Sequence, residues 1–143
     1  QRKNFMFFGY YSSRMKFERA PDVQERIAEI VNVLEMDHVK HERVVCFRST
    51  ESKSDALARM WSLPRIWQDA LGVKAHYILE VLEEKFDRLS TEEQEKTLIH
   101  ELMHISKKFT GSLVPHNCFG KKIDGRTVGK MHRIYKRQRD SNK

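Results

Sequence analysis

The segment His100-Glu101-Leu102-Met103-His104 constrains this chain more than any other stretch. Two histidines four residues apart on a helix lie on one face, about one turn from each other. Both imidazoles can then reach one metal ion. A carboxylate beside the first histidine projects toward a water held by that ion. A catalytic zinc site needs three protein ligands and one open position. The chain must therefore fold this segment as a helix and bring a further ligand back to it.

The flanking residues support a helix. Ser90-Thr91-Glu92-Glu93 reads as a capping box that opens it. Leu98, Leu102, Ile105 and Phe109 form an apolar stripe at helical spacing, widened by Ile99 and Met103. Lys107 and Lys108 suit the negative end of the helix dipole, and Gly111 offers a stop.

The third ligand lies downstream. No glutamate follows Glu101, which removes the common arrangement with a glutamate on a later helix. A third histidine six residues after the second is also absent, because that position is Thr110. The candidates are His116, Cys118, Asp124 and His132. His116 is the best placed. Gly111 permits a reversal and Pro115 stiffens the return, and the twelve residues from His104 to His116 leave room for both. Cys118 is a less common catalytic ligand or a small buried residue. His132 sits among basic residues of a terminal helix.

Several stretches together resemble the small metallopeptidases of archaea and phages. They are Ile99 to Ile105, Phe109-Thr110-Gly111 and Leu113-Val114-Pro115-His116. Upstream they are Ala20-Pro21-Asp22, Arg43 to Ser49, Ala58 to Trp61 and Leu63 to Gln68. The resemblance covers roughly residues 17 to 137. It implies a compact zincin-like domain with His100, His104 and His116 as zinc ligands and Glu101 as general base on a zinc-bound water. The chain departs from that pattern at Ser106, where a proline is usual, outside the ligand set.

Composition sets the outer limits. At 143 residues with eight Phe and two Trp, the chain can bury one real core. It reads as a single domain over 1–143 with basic terminal segments at 1–20 and 121–143. No apolar run approaches the ~20 residues of a membrane span; Phe5-Met6-Phe7-Phe8 is too short, and no signal-peptide cleavage site follows it. Cys46 and Cys118 do not make a disulfide framework, so a reducing cytoplasm is expected. The net charge of +7 is uneven. Residues 121 to 143 hold nine Lys/Arg against two Asp, and residues 1 to 20 hold five against one Glu. The body between them is acidic. Basic ends can give weak nucleic-acid contact, but no nucleic-acid motif accompanies them and a solvated tail is the simpler expectation.

The element order predicts a small α+β fold, a short sheet packed on the metal-binding helix. Pro21 opens a helix to about Leu34 with Val23, Ile27, Ile30, Val31 and Leu34 facing the core. Val44 to Phe47, Ala56 to Trp61 and His76 to Leu82 read as strands. Pro64 to Ala70 reads as a short helix, and a last helix spans about Thr127 to Arg137. The strand expected beside the metal is the His76 segment, and an exposed strand edge there could hold an extended peptide.

The chemistry expected is metal-assisted peptide hydrolysis, with a polypeptide as substrate and no membrane partner. Glu101 takes the water proton and returns it to the leaving amine. Candidates for oxyanion stabilisation are His76, Tyr77, His132 and Tyr135. Arg48 and Arg59 could hold a substrate carboxylate. Two other classes fit the same residues: a nucleic-acid-associated protease of SprT-like logic, and a non-catalytic metal-binding interaction module. Glu101 argues against the latter, since a structural zinc site has no use for a base.

Overall fold

The computed structural model describes residues 14–143; Phe5 to Phe8 and most of the basic N-terminal segment lie outside the described residues. The fold is a small α+β arrangement. Strand β1 (Lys16–Arg19) leads into helix α1 (Pro21–Val33), which buries Val23, Ile27, Ile30 and Val31. Then come β2 (Val44–Thr50), β3 (Ala58–Ser62), helix α2 (Arg65–Leu71), β4 (Tyr77–Leu82) and the short helix α3 (Glu83–Phe86). Helix α4 (Thr91–Met103) carries the histidine pair. A hairpin of β5 (Asn117–Cys118) and β6 (Lys121–Lys122) precedes the terminal helix α5 (Gly125–Ser141).

The four-stranded sheet has the order β1-β2-β4-β3. The pair β2 and β4 is parallel, and the other two pairs are antiparallel. Tyr77, Leu79 and Val81 of β4 point to one face, as alternation requires, and all three are buried. Val44, Cys46, Ala58 and Met60 join them in a core shared with Leu98, Ile99 and Leu102 of α4. Burial pushes the Cys46 thiol up to about 12, so it stays protonated. On the other face Phe47, Trp61 and Ile78 border a groove of about 410 Å³. Its floor holds the buried Glu80 carboxylate, which accepts from Ser49 Oγ, from Arg59 Nη2 at 3.1 Å and from Trp61 Nε1 at 2.8 Å.

Three expectations are corrected. The strand packed against the metal helix is β3, a sheet edge, and the His76 segment instead forms the interior strand β4. Helix α4 ends at His104, so Ile105 and Phe109 do not continue its stripe. Ile105 forms a bridge to Leu113, and Phe109 takes a positive φ of 52° in the turn that follows. The apolar spacing was satisfied by a returning loop, because both residues still reach the core.

The third correction concerns the C-terminus. Helix α5 is longer at both ends than its apolar stripe implies. Asp124 caps it, and Thr127 completes the capping box. At the far end Arg139 Nη1 donates to the buried Glu95 of α4 at 2.8 Å. The last turn is therefore anchored through Arg139, while Gln138 and residues 140–143 are exposed as a solvated tail would be. Deleting residues 138–143 is expected to lower the midpoint of urea unfolding, because Glu95 loses a charged donor. Coincident unfolding curves for the full and shortened chains would show the last turn to be inert.

Candidate metal centre

His100, His104 and His116 come together at one point. Their candidate ligand nitrogens all lie within 4.8 Å of one another. His100 Nε2 and His116 Nε2 are 3.2 Å apart. Two nitrogens bound to one tetrahedral ion at ~2.0–2.1 Å would stand about 3.3 Å apart. The donor set and its spacing thus fit a metal of the zinc class. Among the described residues no other cluster of this kind is present.

Each histidine is placed by a separate piece of local structure. Ser90 Oγ accepts from the Glu93 amide and starts α4, which fixes the face carrying His100. His104 is the C-cap of that helix. Its Nδ1 faces the Val114 carbonyl at 2.6 Å, and the Val114 amide donates to the His104 carbonyl at 2.7 Å. With Nδ1 as the donor, Nε2 is the free ligand nitrogen, an orientation that metal-bound histidines share. Val114 was not singled out from the sequence, since a backbone carbonyl carries no side-chain signal.

The segment to His116 is held at several points. Tyr77 Oη donates to the Ser112 carbonyl at 2.7 Å and accepts from the Gly111 amide at 3.0 Å. Gly111 has a φ of 95°, and a Cβ there would collide with the Gln68 side chain and the Leu63 carbonyl. Only glycine meets both conditions. Beyond His116, the β5–β6 hairpin turns through Phe119 and Gly120, both with positive φ, as a two-residue hairpin loop requires.

The electrostatics favour neutral imidazoles. Burial, then the neighbouring histidines, lowers the pKa of His100. Burial likewise lowers that of His104, with His116 adding to it and the Val114 carbonyl opposing it. Neutral imidazole is the ligating form. Glu101 Oε2 stands 4.0 Å from His100 Nε2. Burial pushes the Glu101 carboxyl up to about 7, while the backbone amide of Met60 on β3 draws it down. A carboxyl poised near neutrality can both accept and release a proton.

The remaining sequence candidates are engaged elsewhere. Asp124 caps α5 through the Arg126 and Thr127 amides. Cys118 lies in β5, outside the histidine cluster. His132 is buried, with Nε2 at 2.8 Å from Glu95 Oε1. Tyr135 Oη donates to Glu29 at 2.6 Å, and burial with that carboxylate pushes the phenol up to about 12. Tyr77 clasps the loop, and His76 Nδ1 faces the Lys74 carbonyl at 2.8 Å. Each of these four side chains thus has a hydrogen-bond partner outside the histidine cluster. Arg48 pairs with Asp22 and Asp87, and Arg59 with Glu80.

Beside the cluster, a cleft of about 440 Å³ runs between β3 and α4. Leu57, Ala58, Lys96, Thr97, His100 and Glu101 line it. Among the described residues no helix is long and apolar enough to cross a membrane.

No curated protein and no solved structure matches the chain. A family model described as "Putative phage metallopeptidase" matches residues 15–138. That span takes in the sheet, the metal helix, all three histidines and most of α5. The chain belongs to this phage-type metallopeptidase family, whose activity implies a metal and a hydrolase.

Proposed function

We propose that this chain is a zinc-dependent peptidase in which His100, His104 and His116 hold the ion and Glu101 is the general base. The observation that carries the reading is the convergence of three imidazole nitrogens beside the partly buried Glu101 carboxylate. A bound zinc ion supplies Lewis acidity toward a carbonyl and lowers the pKa of water. The protein's own groups do the rest. Glu101 removes a proton from the attacking water and delivers it to the leaving amine. Val114 fixes the His104 ring.

The substrate proposed is a polypeptide in extended form. Strand β3 is a sheet edge whose Met60 amide is held by Glu101, and a peptide laid along it can pair with the edge backbone groups that β4 and Glu101 leave open. Two unpaired thiols, Cys46 and Cys118, suit a reducing compartment such as the cytoplasm. Lys136 and Arg139 bind Glu92 and Glu95. These two cations therefore hold α5 on α4, which weighs against the terminal helix as a main nucleic-acid contact.

The test uses the full chain. Zinc titration by calorimetry is expected to give one site per chain, and His116→Ala to weaken binding at least tenfold. Zinc-loaded protein is expected to cut denatured casein, and a chelator to stop it. Unchanged zinc affinity in the variant would remove His116 from the ligand set. Cleavage insensitive to chelation would remove the metal from the reaction.

A further inference from the structure

Helix α2 has its burial inverted. Of its seven residues only Gln68 is buried. Ile66 is 76 % exposed, Trp67 56 % and Leu71 60 %, and Val73 just past the cap is 41 % exposed. A single exposed apolar side chain is ordinary, but a cluster on a helix whose amide residue is turned inward marks a contact surface.

The helix is firmly attached to the catalytic region. Gln68 Nε2 donates to the Leu63 carbonyl at 2.8 Å and to the Thr110 carbonyl at 2.9 Å. The second of these bonds ties α2 to the loop that leads to His116. Gly72 ends the helix in the left-handed conformation, with a φ of 66°. The patch is thus held on a braced support.

Its position follows from the chain. Strand β3 ends at Ser62, and α2 begins at Arg65. A peptide paired along β3 and continuing past Ser62 heads toward the Leu63 segment to which α2 is bonded. We propose that α2 is an accessory subsite that takes apolar side chains of an extended, unfolded polypeptide substrate. This inference rests on the peptidase reading and names its substrate class. Antiparallel pairing, the more stable kind, places on α2 the substrate residues N-terminal to the scissile bond. The Met60 amide lies at Glu101, and strands rise ~3.3 Å per residue. The patch is therefore reached about three to six residues before the cut. A second copy of this chain is the weaker occupant, because a stable dimer buries roughly 20–30 residues a side and the patch offers only four large side chains.

The test compares wild type with the triple variant Ile66→Ser, Trp67→Ser, Leu71→Ser, both zinc-loaded and both checked for fold by circular dichroism. Cleavage sites in denatured casein are mapped by mass spectrometry. Wild type is expected to favour Leu, Ile, Phe or Met three to six positions before the cut, and the variant to lose that preference. The ratio of kcat/KM for a 12-residue casein peptide over its central four residues is expected to fall at least tenfold. Unchanged preference and ratio would overturn the subsite. A wild-type dimer, a monomeric variant and an unchanged ratio would assign the patch to a second copy. If neither protein cuts, the peptidase reading fails. Fluorescence anisotropy of the labelled 12-residue peptide then decides the subsite alone: tenfold weaker binding by the variant upholds it, and equal binding overturns it.

Discussion

Glu101→Gln is expected to keep the fold and the zinc affinity yet lose on the order of 10²–10⁴ in the rate of casein cleavage, the range that general-base removal usually costs. The substitution preserves size and hydrogen bonding. It removes the ability to take a proton from the attacking water. The site makes that loss severe, because Glu101 is largely shielded from solvent and stands 4.0 Å from His100 Nε2. The measurement is kcat on denatured casein, with zinc content and circular dichroism recorded on the same sample. Full activity in the variant would sink the assignment of the base.

The second large effect concerns a group with no part in the chemistry. Glu95 on α4 is buried, with His132 Nε2 and Arg139 Nη1 each 2.8 Å from its two oxygens. Glu95→Ala would leave a buried imidazole and a half-covered guanidinium without their carboxylate. Breaking a buried ion pair from one side costs about 3–5 kcal/mol. Equilibrium unfolding in urea is the measurement. A loss below ~1 kcal/mol would mean that water replaces the carboxylate, and that α5 is held on α4 by Val128 and Tyr135 instead.

The three histidines that converge were readable in the sequence because two of them depend only on helical spacing. The third was narrowed by the absence of later glutamates and by Gly111 and Pro115. Helix α1 and the face of β4 were legible for the same local reason, a period of 3.6 or of 2. What was not legible depends on partners distant in the chain. Strand β1 has all four residues exposed, so it shows no alternation. That β3 and not β4 stands against α4 follows from sheet order, which no local pattern encodes. His132 and Tyr135 stood among the oxyanion candidates, and their bonds to Glu95 and Glu29 were not legible because those partners lie 37 and 106 residues away. Asp124 stood among the downstream ligand candidates, although its spacing to Thr127 is that of a cap.

The loop from Ile105 to His116 has a consequence for how the protein meets its ion. It is fastened by the Ile105–Leu113 bridge, by the paired His104 and Val114 backbones, and by the Tyr77 hydroxyl. None of these ties involves the ligand nitrogens. The loop is therefore held by contacts that need no ion, whereas some small domains owe their order to their zinc. Removing the ion with a chelator is therefore expected to leave the circular dichroism spectrum unchanged, and re-addition to restore binding.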